Sequence, residues 1–203
     1  MSKKYMIAIT GSIGTGKSTV CKILKQKGYK IIDADKISHK ILEQSSKEVA
    51  KIFGKEFLDE NGKPDRKKLG KLVFADKNKK EILENLLHSK IFESIKKEAE
   101  PLEKIKKIYF LDIPLLFEVK NSYNHGFVCV VYAPKEIEIK RVMDRNNIDR
   151  SEALAKIDSQ IDIEIKKQKA DFVIDNSEDE THLINEVESF LKKLRKEYES
   201  CEV

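Results

Sequence analysis

Eight residues near the start of the chain, Gly11-Ser12-Ile13-Gly14-Thr15-Gly16-Lys17-Ser18, follow the pattern G-x-x-x-x-G-K-[ST]. Glycines in such a loop let the backbone curl until successive N–H groups point inward as an anion nest. A helix beginning behind the loop adds its partial positive charge. Lys17 is placed to reach β- and γ-phosphates, and the Ser18 hydroxyl to hold Mg²⁺. The expected nucleotide-binding residues are Gly14, Thr15, Gly16, Lys17, Ser18 and Thr19, with Ser18 as the metal residue. A glycine-rich turn beside a surface lysine would share the pattern but not its setting, which is an apolar run before and a helical rhythm after.

Carboxylates and guanidinium groups elsewhere suit phosphoryl transfer. Asp33 and Asp35 close a short apolar run. In an extended strand, residues two apart face the same side, so both could face one site. A carboxylate there could accept the proton of an attacking hydroxyl. The same residues equally fit a helix start, with Asp35 capping a helix from Lys36 and Asp33 binding loop amides. Asp112 ends another apolar run, where it reads either as a support for Mg²⁺ or as a turn residue. Glu118, after Leu115-Leu116-Phe117, reads as a surface acid or a substrate-side contact. Arg141 and Arg145 stand four apart on one helix face. Two planar forks there suit a polyphosphate; the alternative is a solvated face partnered by Glu136, Glu138 and Asp144.

These residues need a scaffold, and the hydrophobic pattern supplies one. Tyr5 to Thr10, Lys30 to Asp33, Ile108 to Ile113, Phe127 to Tyr132 and Phe172 to Ile174 are short apolar runs that read as strands. Between them, apolar residues recur at three and four. Val20, Ile23 and Leu24 mark a first helix, and Gly28 stands where it would stop. Asp65 caps a helix carrying Leu69, Leu72 and Val73, and Ile82 to Ile95 continue as a long amphipathic helix. Lys135 to Asn146 and Ser151 to Ile161 read as two more helices, the second capped by Ser151, and a last one runs from Thr181. Alternating strands and helices imply a parallel sheet covered on both faces, with ligands at the carboxyl ends of its strands. Thr10, Asp33, Asp112 and Pro134 fall at those ends.

Composition narrows the classes. With 203 residues the chain suits one domain and an inserted subdomain. Charged residues are 37% and no apolar run approaches a membrane span, so a cytoplasmic protein without membrane partners is expected. Cys21, Cys129 and Cys201 form no C-x-x-C pair and read as reduced. The net charge is +5, and lysines cluster at Lys104 to Lys107, Lys166 to Lys169 and Lys192 to Lys196. Acids lie among them and aromatics are few, so they read as solvated surface rather than a nucleic-acid site.

Several segments together resemble the dephospho-coenzyme A kinase family. They are Ile9 to Val20, Ile32-Asp-Ala-Asp35, Leu86-Leu-His88, Asp112-Ile-Pro-Leu-Leu-Phe-Glu118 and Ala170-Asp-Phe-Val-Ile-Asp-Asn176, in the family's order and spacing. The resemblance implies ATP- and Mg²⁺-dependent phosphorylation of the ribose 3′-hydroxyl of dephospho-coenzyme A, the last step of coenzyme A synthesis. It implies an α/β fold: a five-stranded parallel sheet with helices on both faces, as in phosphate-loop kinases. The whole chain, 1–203, would be one kinase domain with a helical substrate-binding insertion at about 36–105 and a helical lid at about 141–168. Asp35 is implied as the base, with Lys17 and Arg141 stabilising charge. Thr10, Asp33, Asp35, His88 and Arg145 are implied on the substrate side. A monomer or weak homo-oligomer is expected. Ser89 replaces the family's usual proline, and Lys156 stands where an arginine is common, keeping charge but not a bidentate fork.

Two competing readings make their own demands. Another small-molecule or nucleoside kinase of this fold would share ATP, Mg²⁺ and an acidic base, and differ in the acceptor pocket. A GTP-driven switch needs D-x-x-G after a strong strand and N-K-x-D after another. Asp59-Glu-Asn-Gly62 fits the first pattern within a turn-rich stretch, and Asn78-Lys79-Lys80-Glu81 lacks the aspartate of the second.

Overall fold

A computed structural model describes residues 4–118 and 126–200. In chain order the elements are β1 (Met6–Gly11), α1 (Lys17–Gln26), β2 (Ile31–Asp33), α2 (Ala34–Gln44) and α3 (Ser46–Phe53). A 3₁₀ turn at Lys55–Phe57 leads to α4 (Arg66–Ala75), α5 (Lys77–Lys104), β3 (Tyr109–Asp112) and β4 (Val128–Tyr132). Then come α6 (Lys135–Asn146), α7 (Arg150–Asp158), α8 (Ile163–Gln168), β5 (Phe172–Asp175) and α9 (Glu180–Ser200). The chain forms two compact units, Met1–Ile32 with Leu102–Val203, and Asp33–Pro101.

The first unit is built on a five-stranded parallel sheet in the order β2-β3-β1-β4-β5. Ile7 lies beside Phe110, Thr10 beside Val130, and Val130 beside Val173. Every residue of β1 and β4 is buried, which is the mark of strands covered on both faces. Covering one region, α9 turns Leu183, Val187, Phe190, Leu191 and Leu194 inward. Phe190 packs on Phe110 and Phe172 with ring centroids 6.0 and 5.4 Å apart. Each such fully buried side chain contributes about 1.5–3 kcal/mol. Cys21 and Cys129 are free and buried, and Cys201 lies outside the described residues.

The second unit is helical. Val49 and Phe53 of α3 and Leu69 of α4 form its core, with Leu83 and Leu86 of α5 packed against them. Asp65 caps α4, accepting from the N–H groups of Lys67 and Lys68. Asp59-Glu-Asn-Gly62 is a tight turn: the Asp59 side chain accepts from Asn61 and Lys63, and Gly62 N–H donates to its carbonyl.

Three helix boundaries differ from the sequence expectation. α2 begins at Ala34, because Asp33, not Asp35, is its cap and accepts from Lys36 N–H at 2.9 Å. Asp35 therefore sits in the first helical turn, where strand alternation does not set its direction. α7 is capped by Asp149, whose carboxylate accepts from Glu152 N–H at 2.8 Å and from the Ser151 hydroxyl at 2.7 Å. The segment after Asp158 then turns and begins a separate helix, α8, capped by Asp162.

Candidate active site

The phosphate loop joins β1 to α1, and its two central glycines are conformational requirements. Gly14 and Gly16 have φ of 91° and 85°, where a side chain is strained. A Cβ on Gly14 would also lie 2.8 Å from the Glu138 carbonyl oxygen of α6, and one on Gly16 would strike the Asn176 amide. Other groups fix the loop from several sides. Thr15, fully buried, donates its hydroxyl to Ser12 O at 2.8 Å. Asn176, just after β5, donates its amide to Thr15 O at 2.7 Å. Gln160, between α7 and α8, accepts from Ile13 N–H at 3.0 Å.

Around the loop lies a cavity of about 410 Å³, lined by its own residues together with Pro114, Arg141, Arg145 and Gln160. Ser12 lines it, and the Ser12 hydroxyl is buried without a hydrogen-bond partner. Lys17 forms an ion pair with Asp112 at the end of β3. Arg141 Nη1 lies 3.5 Å from Gly14 O. Glu136 does not serve Arg141 or Arg145; it forms a two-pronged pair with Arg150, at 2.8 and 2.9 Å. A buried hydroxyl without a partner, a lysine and two arginines around backbone N–H groups suit a polyphosphate.

The expected site residues separate accordingly. Gly14, Gly16, Lys17, Ser18, Arg141 and Arg145 line one cavity. Thr15 faces inward and Thr19 is exposed, so neither lines it. Thr10 is buried and its hydroxyl donates to Pro114 O at 3.1 Å, which ties β1 to the loop after β3. Asp33, Asp35 and His88 belong to the helical unit; Asp35 and His88 are exposed. Lys156 is exposed on α7.

Two sequence readings are corrected. Glu118 is not a solvated surface acid: its Oε1 accepts from Ile161 N–H at 3.1 Å and lies 2.7 Å from Lys166 Nζ. Lys166, read as part of a solvated cluster, is fully buried. The sequence signal was available in the apolar residue three before it and three after Gln160: Ile163 stands one turn from Lys166 and is buried as well. Gln160 and Asn176 were not singled out as loop anchors, because nothing local distinguishes an amide that bonds a distant backbone group.

Electrostatics follow burial. Cys21, whose Sγ lies 3.6 Å from Asp112, is pushed up to about 12 by desolvation and then by that carboxylate. Its thiol stays protonated. Glu138, only 1% exposed, is raised to about 7, chiefly by burial; Lys166 opposes the shift and Asp162 adds to it.

The sheet order, the loop between β1 and α1, and the arginines of α6 define a phosphate-loop kinase of the nucleotide-binding α/β class. The sequence profile of the family described as dephospho-CoA kinase matches residues 5–181. The dephospho-CoA kinase of Helicobacter pylori is 45% identical over 196 residues, covering 96% of this chain and all of the relative. That of Listeria innocua is 41% identical, covering 92% of this chain and 96% of the relative. The solved dephospho-CoA kinase from Campylobacter jejuni is 41% identical, with a TM-score of 0.75 over 96% of this chain and 98% of that one. The chain belongs to the dephospho-CoA kinase family. Among the described residues, no helix is long and apolar enough to cross a membrane.

Proposed function

We propose that the protein transfers the γ-phosphoryl group of ATP to the ribose 3′-hydroxyl of dephospho-coenzyme A in the cytoplasm. The observation that carries this reading is the loop cavity, where Lys17, Arg141 and Arg145 converge in a chain of this family. The loop N–H groups and Lys17 bind the β- and γ-phosphates. Arg141 and Arg145 offset charge on the transferring group, whose loose transition state leaves little for the protein beyond position and electrostatics.

Ser18 and Asp112 are hard oxygen donors beside the loop and suit Mg²⁺, which prefers few protein carboxylates and the substrate's phosphates. When bound, Mg²⁺ neutralises charge on the phosphate oxygens. Asp35 takes the proton of the acceptor hydroxyl late in transfer, and Asp33 shapes the start of α2 beside it. His88 and the rest of Asp33–Pro101 serve the acceptor. The test is direct: purified protein with ATP, Mg²⁺ and dephospho-coenzyme A should release coenzyme A and ADP one for one. Turnover of shikimate, gluconate or nucleosides instead, with none of dephospho-coenzyme A, would replace this acceptor.

A further inference from the structure

The turn between α7 and α8 holds two parts of the nucleotide site with adjacent residues. Gln160 accepts from Ile13 N–H of the phosphate loop. Ile161 N–H donates to Glu118, in the segment after β3, and Pro114 of that same segment lines the cavity. What fixes Glu118 therefore bears on both. Glu118 is ion-paired with Lys166, fully buried in α8, whose Nζ lies 2.7 Å from Oε1 but is not aligned for a hydrogen bond, so the pair is held by charge. Its neighbours dock α8 onto β4: Glu164 accepts the Tyr132 hydroxyl at 2.7 Å, and Lys167 Nζ lies 3.8 Å from the Tyr132 ring centroid.

A second carboxylate belongs to this cluster. Glu138 of α6 is buried, with no hydrogen-bond partner for either oxygen, and the charge of Lys166 opposes the rise that burial imposes on its carboxyl. Glu138 lines a cavity of about 200 Å³ that also includes Gln160. Its backbone abuts Gly14, and Arg141 follows it by one helical turn. One ammonium thus stands among the loop after β3, the α7–α8 turn and the helix of the lid arginines. A buried ion pair costs several kcal/mol of desolvation per ion, and apolar replacements of equal volume are often as stable. Its contribution lies in geometry.

We propose that Lys166 is a positioning residue of the nucleotide site, holding Glu118 so that the α7–α8 turn keeps Gln160 on the phosphate loop. Its rate readout rests on the kinase reading above; nucleotide affinity does not. The test compares Lys166→Met, Lys166→Arg and the doubly neutral Glu118→Gln/Lys166→Met. Each is followed by thermal unfolding, by binding of a fluorescent ATP analogue, and by kcat and KM for ATP. Lys166→Met should weaken analogue binding and lower kcat by about 10- to 100-fold, the size expected for a small misplacement of catalytic groups. Lys166→Arg should restore most of both. The double variant, which leaves no unpaired charge on Glu118 or residue 166, should recover Tm without recovering kcat or affinity. Recovery of kcat and affinity in step with Tm would reduce Lys166 to a role in the fold and overturn the proposal. So would Lys166→Met with wild-type affinity and kcat. If the wild type binds nucleotide and Lys166→Met weakens that binding, but neither turns over dephospho-coenzyme A, the proposal stands and the acceptor reading alone fails.

Discussion

Lys17 is held by Asp112, in an ion pair whose side chains are 15% and 14% exposed. The residue that must meet the phosphates thus has a carboxylate as its resident counter-ion. An arriving polyphosphate offers stronger charge-assisted bonds to the same ammonium. Lys17→Ala should lower transfer by about 10²–10³ or more, the scale of losing one preorganised charge-stabilising group. It also leaves Asp112 partly buried without its cation, so Tm should fall by an amount equivalent to about 1 kcal/mol. Single-turnover rates with saturating ATP, alongside thermal unfolding, check both. A variant with wild-type turnover would remove Lys17 from the reaction.

Arg141 and Arg145 line the same cavity, and Arg141 Nη1 lies 3.5 Å from Gly14 O of the loop backbone. Arg141→Lys keeps the charge and loses the planar fork. It should lower kcat by at least about 10-fold, a modest part of the range of about 10³–10⁵ known for arginines acting on phosphoryl transfer. Arg145→Lys should be milder, since Arg145 is exposed. The reverse order of effects on kcat would exchange their roles.

Glu138 makes stability depend on pH. Its carboxyl is raised from 4.5 to about 7, first by burial, against the opposing charges of Lys166 and Lys135 and with Asp162 and Glu164 adding to the rise; Asp158 lines the same cavity. Below the unfolded value both states are protonated, and the group contributes no difference. As pH rises through the window between the two values, the unfolded chain loses the proton first, so folding is progressively disfavoured. Glu138→Gln removes this loss. Its Tm should exceed that of the wild type at pH 8 by more than at pH 4.5, because each tenfold difference in proton affinity between the folded and unfolded chain corresponds to about 1.4 kcal/mol. Equal Tm differences at both pH values would show that Glu138 ionises freely in the folded protein.

The strands and the phosphate loop were legible because their signals are local. A run such as Met6 to Ile9 is apolar throughout, and G-x-x-x-x-G-K-S encodes both the turn and its charge. α6 was legible to its ends for a similar reason, with Pro134 before it and Asn147 in a left-handed conformation after it. The α7–α8 turn was not. Asp149, Ser151 and Asp162 are all competent caps, and the choice among them depends on which helix faces can be buried. Lys166 was misread because a lysine next to a lysine looks solvated, while its burial depends on Glu118, 48 positions away. The pairing of an amide with a distant backbone group, as in Gln160 and Ile13, leaves no trace in spacing at all.

The acceptor side gives the sharpest test, because the geometry of α2 now separates two roles that sequence spacing left together. Asp33 is the helix cap: it accepts from Lys36 N–H and lies 3.2 Å from the exposed Lys36 ammonium. Asparagine caps about as well as aspartate, and an exposed ion pair of this kind contributes about 0–1 kcal/mol. Asp33→Asn should therefore leave Tm and kcat close to wild type. Asp35 stands in the first turn of α2, where a negative charge favours the helix by about 0.3–1 kcal/mol. Asp35→Asn should cost no more than that in stability, since no cap is lost. If Asp35 is the base, its loss acts in the transition state, so kcat falls strongly with dephospho-coenzyme A while ATP affinity hardly changes. Measuring kcat, ATP affinity and Tm for both variants decides the matter. A low kcat in Asp35→Asn with near-normal Tm places the proton on Asp35, whereas a wild-type kcat there, or a larger loss in Asp33→Asn, assigns it elsewhere.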